Sequence, residues 1–210
     1  MPILTSCTQL SDLYLEQLST SDLRFVEAFE QLNILRLDGA TRVTDLRPLA
    51  RFKTLRGLGI QHFPRLQTLE PLAELTGLIS LEVSGSVWTR MSVESLEPFG
   101  RLTSLRFLAL TNLEARDALL APLARLTSLE ELSLANFYPA EEMARLSAAL
   151  PATSCDWFRP FLVVGWQSCK VCGGELLMPT GKGKRTFCAQ CNPLRREKLE
   201  VEWNGLRRSA

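Results

Sequence analysis

One leucine pattern recurs through the first 150 residues, and it restricts the possible folds more than any other feature of the chain. The pattern L-x-P-L-x-x-L-x-x-L-x-x-L-x-L, with occasional Phe, Ile or Val for Leu, begins at Leu46, Leu69, Leu96 and Leu120. Successive copies are about 23 to 27 residues apart, and residues 26–37 and 10–15 fit parts of the same frame upstream. A unit of this size cannot bury its own leucines, so neighbouring units must stack and share one core.

The spacing within each unit predicts its local structure. The final L-x-L has a period of two, which is typical of a short strand with both leucines on one face. The preceding leucines at intervals of three suit a 3₁₀ turn, and proline suits the start of such a turn, where its missing N–H is not needed. Six strands are predicted, centred on Tyr14, Arg36, Gly59, Glu82, Ala109 and Ser133.

The repeat resembles the leucine-rich repeat family in its short form, like that of the bacterial internalins and of protein-phosphatase regulatory repeats, over roughly residues 8–138. The resemblance implies an α/β solenoid with a parallel β-sheet on its concave side, a surface that commonly binds proteins. The family usually has Asn two residues after the last strand leucine. Here only Asn112 and Asn136 match, so we do not expect an uninterrupted asparagine ladder.

Side chains that alternate with the inward leucines must point out of the concave face. They are mostly polar and mildly acidic, but they include the apolar groups Tyr14, Ile34 and Phe107. Exposed aromatic groups beside charges are typical anchors of interfaces, which favours a protein partner over a merely solvated sheet. Trp88 lies in the extra residues of the longest unit, where it either covers the sheet edge or meets a partner. The candidate partner-binding residues are Tyr14, Arg36, Glu82, Trp88 and Phe107.

The segment after the last repeat is expected to cover the open end of the solenoid. Residues 139–150 predict a helix, since Met143, Leu146 and Leu150 share one face and Pro151 stops it. The apolar residues that follow, up to Val164, are candidates for the same cap. We expect the unpaired Cys155 and Cys7 to be buried free thiols.

Two C-x₂-C pairs lie near the carboxyl end of the chain, at Cys169/Cys172 and Cys188/Cys191. Their separation is typical of a zinc site in which four thiolates fill a tetrahedron, and it predicts one structural Zn²⁺. A redox C-x-x-C motif is the less favoured alternative, because no thioredoxin-like βαβ pattern surrounds the pairs. A piece of about 40 residues needs such a metal to fold.

The order of knuckle, hairpin, knuckle and helix resembles a zinc-ribbon or treble-clef module over residues 166–205. The hairpin arms are expected at 175–178 and 185–187, and the helix is expected at 193–203.

The charges of the chain are unevenly divided. Residues 1–158 carry 14 Lys and Arg against 19 Asp and Glu, whereas residues 159–210 carry 10 against 4. The basic groups could contact the phosphates of a nucleic acid, form a solvated surface, or dock on the acidic solenoid. The glycine- and lysine-rich loop lacks the P-loop pattern. The candidate phosphate contacts are Lys182, Lys184, Arg185, Arg195 and Arg196.

These features divide the chain into three parts: a solenoid with a helical cap (8–150), a linker or cap segment (151–165), and a zinc module with a basic loop and a final helix (166–210). No apolar run approaches the roughly 20 residues of a membrane span, and residues 1–7 lack the pattern of a signal peptide. The cysteine usage favours a reducing, cytoplasmic setting.

The sequence offers no catalytic constellation. It has one His, no Ser/His/Asp set and no cofactor fingerprint, so neither an enzyme nor a small-molecule substrate is expected. The favoured function is a non-enzymatic protein-protein interaction module that recognises a partner with its concave face. The alternative is a nucleic-acid-associated adaptor that binds DNA or RNA through the basic zinc module.

Overall fold

The computed structural model describes residues 9–209, so the expectations for Cys7 and for the amino-terminal signal sequence lie outside the described residues. Six parallel strands form one sheet: β1 Asp12–Leu15, β2 Ile34–Asp38, β3 Gly57–Gln61, β4 Ser80–Ser84, β6 Phe107–Leu110 and β8 Glu131–Leu134. Two shorter strands, β5 Met91–Val93 and β7 Leu113–Ala115, form a second parallel pair. Within the large sheet the strands lie side by side in chain order.

The strand register stacks equivalent leucines on one another. Leu35 lies beside Leu58, and Leu58 lies beside Leu81. Leu81 in turn lies beside Leu108, and all four side chains are buried. Every predicted strand centre falls within one of the six strands. The leucine-rich repeat solenoid with a parallel sheet is therefore confirmed.

The returning side of each repeat is a short 3₁₀ turn, as the proline positions predict. Four turns, at Arg47–Leu49, Glu70–Glu74, Glu97–Arg101 and Ala121–Arg125, each have Pro at the first or second position. A fifth turn, Arg24–Ala28, forms without proline in the unit whose sequence lacks it. Helix α1, Ala140–Ala149, follows the last repeat and ends before Pro151, again as predicted.

The cap helix packs its apolar face onto the last repeat. Met143, Leu146 and Leu150 belong to the core that runs through the whole solenoid. A carboxylate of the helix also contributes, because Oε2 of Glu142 accepts the backbone N–H of Leu120 at 2.8 Å. The helix therefore covers the apolar end of the repeat stack.

The carboxy-terminal part is a small antiparallel sheet followed by a helix. Strands β9 Phe161–Ser168, β10 Glu175–Pro179 and β11 Phe187–Cys188 pair in the order β11-β10-β9. Strand β9 starts within residues 151–165, so this segment enters the sheet of the module. Helix α2, Pro193–Arg208, continues past Trp203. Within the described residues, no helix is long and apolar enough to cross a membrane.

The carboxy-terminal module rests on the end of the solenoid. Helix α2 packs against α1, and the indole of Trp203 joins the solenoid core with 5% of its surface exposed. The side chain of Asn136 donates to the carbonyl of Pro179 at 3.0 Å and accepts the N–H of Gly181 at 2.7 Å. The N–H of Lys182 bonds the carbonyl of Tyr138 at 2.9 Å. The module thus continues the cap that α1 begins.

Candidate metal centre and interaction surfaces

The four cysteines of the two C-x₂-C pairs come together at one point of the module. Cys169 directly follows β9, Cys188 ends β11, and Cys191 precedes α2. All four Sγ atoms lie within 4.8 Å of one another, and that of Cys172 is 3.4 Å from both Cys188 and Cys191. None of these cysteines is in a disulfide. Four thiol sulfurs at such distances could hold one metal ion.

Backbone groups shape the first turn of the cluster. Gly173 adopts a left-handed φ of 74°, and its N–H donates to the carbonyl of Cys169 at 2.8 Å. The N–H groups of Cys172 and Val171 point at the thiol of Cys169 and lower its pKa to about 6. One thiolate therefore forms readily at neutral pH.

The neighbouring sulfurs have the opposite effect on the last cysteine. Hydrogen bonding with Cys172, Cys188 and Cys169 raises the pKa of Cys191 to about 12. Four thiolates repel one another at this distance, so they can ionise together only around a cation. An all-sulfur, four-membered donor set fits a soft, tetrahedral ion such as Zn²⁺.

The candidate residues on the concave sheet lie on four different strands and face solvent. Tyr14 and Phe107 have 56% and 40% of their surface exposed, and Ile34 joins them with 38%. The side chain of Arg36 lies over Gly59: a Cβ added to this glycine would be 3.2 Å from Cγ of Arg36. Glu82 is half-buried and accepts a hydrogen bond from the amide of Gln61. The sheet thus presents apolar and charged groups around a low, glycine-lined centre.

Trp88 is the most exposed large apolar residue of the described chain, with 93% of its surface in solvent. Its loop is ordered by Asn112, whose side chain donates to the carbonyl of Ser86 at 2.6 Å, and by the Ser86 hydroxyl, which accepts the N–H of Thr89. Of the two sequence-based alternatives, the structure contradicts the first, because Trp88 does not cover the sheet edge. Val87 beside it is 87% exposed, and the repeat pattern did not indicate this exposure.

The five candidate phosphate contacts are not equally free. Lys182 forms an ion pair with Glu114, and Arg196 pairs with Glu200 at 3.1 Å. The guanidinium of Arg195 lies 4.4 Å from the ring centre of Phe187. Lys184 and Arg185 are exposed and form no ion pair within residues 9–209. The structure therefore does not gather these residues into one unpaired basic surface.

A network of contacts between the module and the solenoid was not predicted from the sequence. Glu114 pairs with Lys182 and also with Arg90 at 2.7 Å, and these cations lower the pKa of its carboxyl, with Lys182 as the larger cause. Arg90 in turn lies 3.7 Å from the ring centre of Phe137. One residue could have indicated this contact. Asn136 occupies the asparagine position of the last repeat, and because no further leucine repeat follows it, its side chain must bond another part of the chain.

Among known proteins, this chain is similar to several solved structures. No sequence profile of a known protein family matches the chain, and no curated protein matches it. Among solved structures, an internalin (InlF) of Listeria monocytogenes is 22% identical over 70% of this chain, with a TM-score of 0.48. Internalin C2 of the same organism is 20% identical over 69%, with a TM-score of 0.45. The functional domain of its InlJ is 16% identical over 71%, with a TM-score of 0.47.

The chain spans 46% of the InlF chain, 69% of the internalin C2 chain and 30% of the InlJ chain. The strand register of this protein establishes the repeat fold independently of these similarities.

Proposed function

We propose that this protein is a non-enzymatic protein-interaction module whose concave sheet recognises a protein partner. The observation that carries the proposal is the exposure of Tyr14, Ile34 and Phe107 at strand positions that the buried leucines force outward. Apolar groups that serve no core role and lie among charged residues are typical of interface anchors. Trp88, four residues after the end of β4 and 93% exposed, is proposed as a further contact for the partner.

The four-cysteine module is proposed to hold one structural Zn²⁺ and to act as the cap of the solenoid. When four thiolates occupy the whole tetrahedron, no position is left for water or substrate, so the ion would support the fold rather than a reaction. Its role would be to fix the β10–β11 hairpin relative to α2. That helix carries Trp203 into the solenoid core, which supports a metal-dependent cap.

The absence of enzymatic activity is part of the proposal. The chain's single histidine, His62, occupies a left-handed backbone position after β3 with a φ of 55°. This placement supports a structural role in the turn. A reducing, cytoplasmic setting is proposed because a thiolate metal site and the buried thiol of Cys155 both require reduced cysteines.

The alternative function is a nucleic-acid adaptor that uses the basic module. Its specific support is the loop residues Lys184 and Arg185, which are exposed and unpaired within the described part of the chain. Against it, Lys182 and Arg196 already have carboxylate partners.

Quantitative capture from the native cell distinguishes the two functions. The wild-type protein is compared with a Tyr14→Ser/Phe107→Ser variant, a Lys184→Ala/Arg185→Ala variant, and the control Leu119→Ser, an exposed leucine outside the concave sheet. We expect a partner protein that is captured by the wild type, the basic-loop variant and the Leu119→Ser control, but not by Tyr14→Ser/Phe107→Ser. A partner lost only with the basic-loop variant, or one sensitive to nuclease, would favour the adaptor.

A further inference from the structure

We infer that the partner segment recognised by the concave face is a cationic, extended peptide stretch in which apolar side chains lie between lysines or arginines. This inference rests on the proposed function of the concave face and specifies the chemistry of its partner. It derives from the distribution of ion pairs over the solenoid.

Most carboxylates of the solenoid outside the concave face form ion pairs with Lys or Arg. On the turn side of the repeats, Glu97 pairs with Arg125 at 2.5 Å and Glu74 pairs with Lys53 at 3.4 Å. Nine carboxylates of the solenoid outside the sheet face have such partners: Asp22, Glu27, Asp45, Glu70, Glu74, Glu97, Glu114, Glu130 and Glu142. Exposed pairs of this kind stabilise little, but they leave the outer surface close to neutral locally.

The concave face differs from this arrangement. Its five carboxylates form no ion pair within residues 9–209, and they are Asp12, Glu16, Asp38, Glu82 and Glu131. Glu82 accepts from the amide of Gln61, and Glu16 accepts from the hydroxyl of Tyr14 at 2.5 Å. These donors are neutral, so they orient the carboxylates without cancelling their charge. The one cation of the face, Arg36, is not paired with any of them.

The register places these groups in rows that cross the sheet. One row runs from Asp12 through Ile34 and Gly57 on β3, continues through Ser80 and Phe107, and ends at Glu131. Acidic groups therefore lie at both ends of the row, and apolar groups lie inside them. The middle of the row consists of Gly57, which has no side chain, and Ser80, which has a small one.

The dimensions of this row suit a short peptide. Neighbouring strands are about 4.8 Å apart, so the five steps from β1 to β8 span roughly 24 Å, the length of about seven extended residues. Gly57 adds no side chain to the middle of the row, where the side chain of Ile34 lies against it, so a peptide would pack on Ile34 there. Cations near both ends of the peptide would meet Asp12 and Glu131, and Glu82 in the next row could pair with a further one. Opposite charges of this kind guide encounter and select partners.

The protein's own basic module is not the occupant in this structure. Its loop lysine, Lys182, pairs with Glu114, which lies outside the concave face, and Arg196 of α2 pairs with Glu200 inside the module. Within residues 9–209, no cation of the module forms an ion pair with a carboxylate of the concave face. The concave carboxylates are consequently available to a separate molecule.

Panning of the immobilised full-length chain against a library of random 12-residue peptides tests the inference. The enriched peptides are then titrated by fluorescence polarisation in low and high salt. The Asp38→Asn/Glu82→Gln/Glu131→Gln variant is compared with Glu70→Gln/Glu74→Gln/Glu97→Gln, which removes the same charge from the turn side. The expected peptides carry net positive charge with apolar residues between the cations, and their affinity falls about tenfold or more in the concave variant only. High salt should weaken binding to the wild type.

Each other outcome overturns the inference in a recognisable way. Enriched peptides that are neutral or acidic, yet lost in the Tyr14→Ser/Phe107→Ser variant, would refute cationic recognition and leave the concave-face function intact. Peptides insensitive to every concave substitution, or no enriched peptide at all, would contradict both. Concentration-dependent self-association in light scattering, abolished by the concave charge variant, would make a second copy of this chain the occupant instead.

Discussion

Replacing Trp203 by alanine tests whether the carboxy-terminal module is a structural part of the solenoid. Trp203 is the one buried residue of α2, with 5% exposure, and its ring lies in the same apolar core as the repeats. A tryptophan buries about 200 Å², which at ~25 cal/mol per Å² corresponds to roughly 5 kcal/mol. Measured truncations of buried Phe and Trp cost about 3–5 kcal/mol, and we expect a loss in that range.

Val201 on the same helix provides the matched control. It is 72% exposed, so Val201→Ala should change the free energy of unfolding by less than about 0.5 kcal/mol. Urea unfolding of the metal-loaded chain, followed by circular dichroism at 222 nm, measures both variants. If Trp203→Ala unfolded at the same midpoint and with the same slope as Val201→Ala, the module would not be coupled to the solenoid and the proposed cap would be refuted.

Three further predictions follow from the geometry. Metal analysis should find one zinc per chain, and Cys188→Ser should lose most of it; full retention by this variant would contradict the four-thiolate site. Leu81→Ala should cost ~2–5 kcal/mol, because the side chain is 1% exposed with layers on both sides; an unchanged melting temperature would mean that the repeat frame is wrong. Burial raises the pKa of Cys155 from 9.0 to about 11, so it should resist alkylation at pH 8 until the chain is denatured, as peptide mass mapping would reveal. The stability that this buried neutral thiol contributes is fully present below pH 9 and is lost as the pH rises towards 11. A loss of stability between pH 8 and pH 11 that is no larger in the wild type than in Cys155→Ala would contradict its burial.

The repeat architecture was predictable because each of its parts has a local cause. The leucine spacing determines which side chains face inward, and the prolines mark where each turn begins. Stacking identical units then sets the register without further information, which is why Leu58, Leu81 and Leu108 align as expected. The same reasoning predicted that Tyr14 and Phe107 would be exposed on the sheet.

The relation between the module and the solenoid was not predictable, because it depends on contacts between distant parts of the chain. The pairs Lys182–Glu114 and Asn136–Gly181 join residues that are 68 and 45 positions apart. No periodic pattern links them. The exposure of Trp88 also could not be decided from the sequence, because the loop that carries it departs from the repeat frame.

The clustering of the four cysteines was predictable from spacing alone, since two C-x₂-C turns joined by a hairpin meet in only a few ways. Which basic residues of the module form ion pairs could not be predicted. Arg196 and Glu200 form a helical i, i+4 ion pair that charge patterning could have indicated. The position of Arg195 over the ring of Phe187 depends on how the module folds, so the sequence could not indicate it.

Photo-crosslinking in the native cell tests the central claim, recognition by the concave sheet, most directly. A benzophenone amino acid is placed at position 14 or 107 on the concave face, at 119 outside it, or at 184 in the basic loop. Recognition by the concave sheet predicts a protein adduct of constant mass from positions 14 and 107 and none from 119 or 184. Adducts that arise only from 184 or 119, with positions 14 and 107 silent, would contradict it.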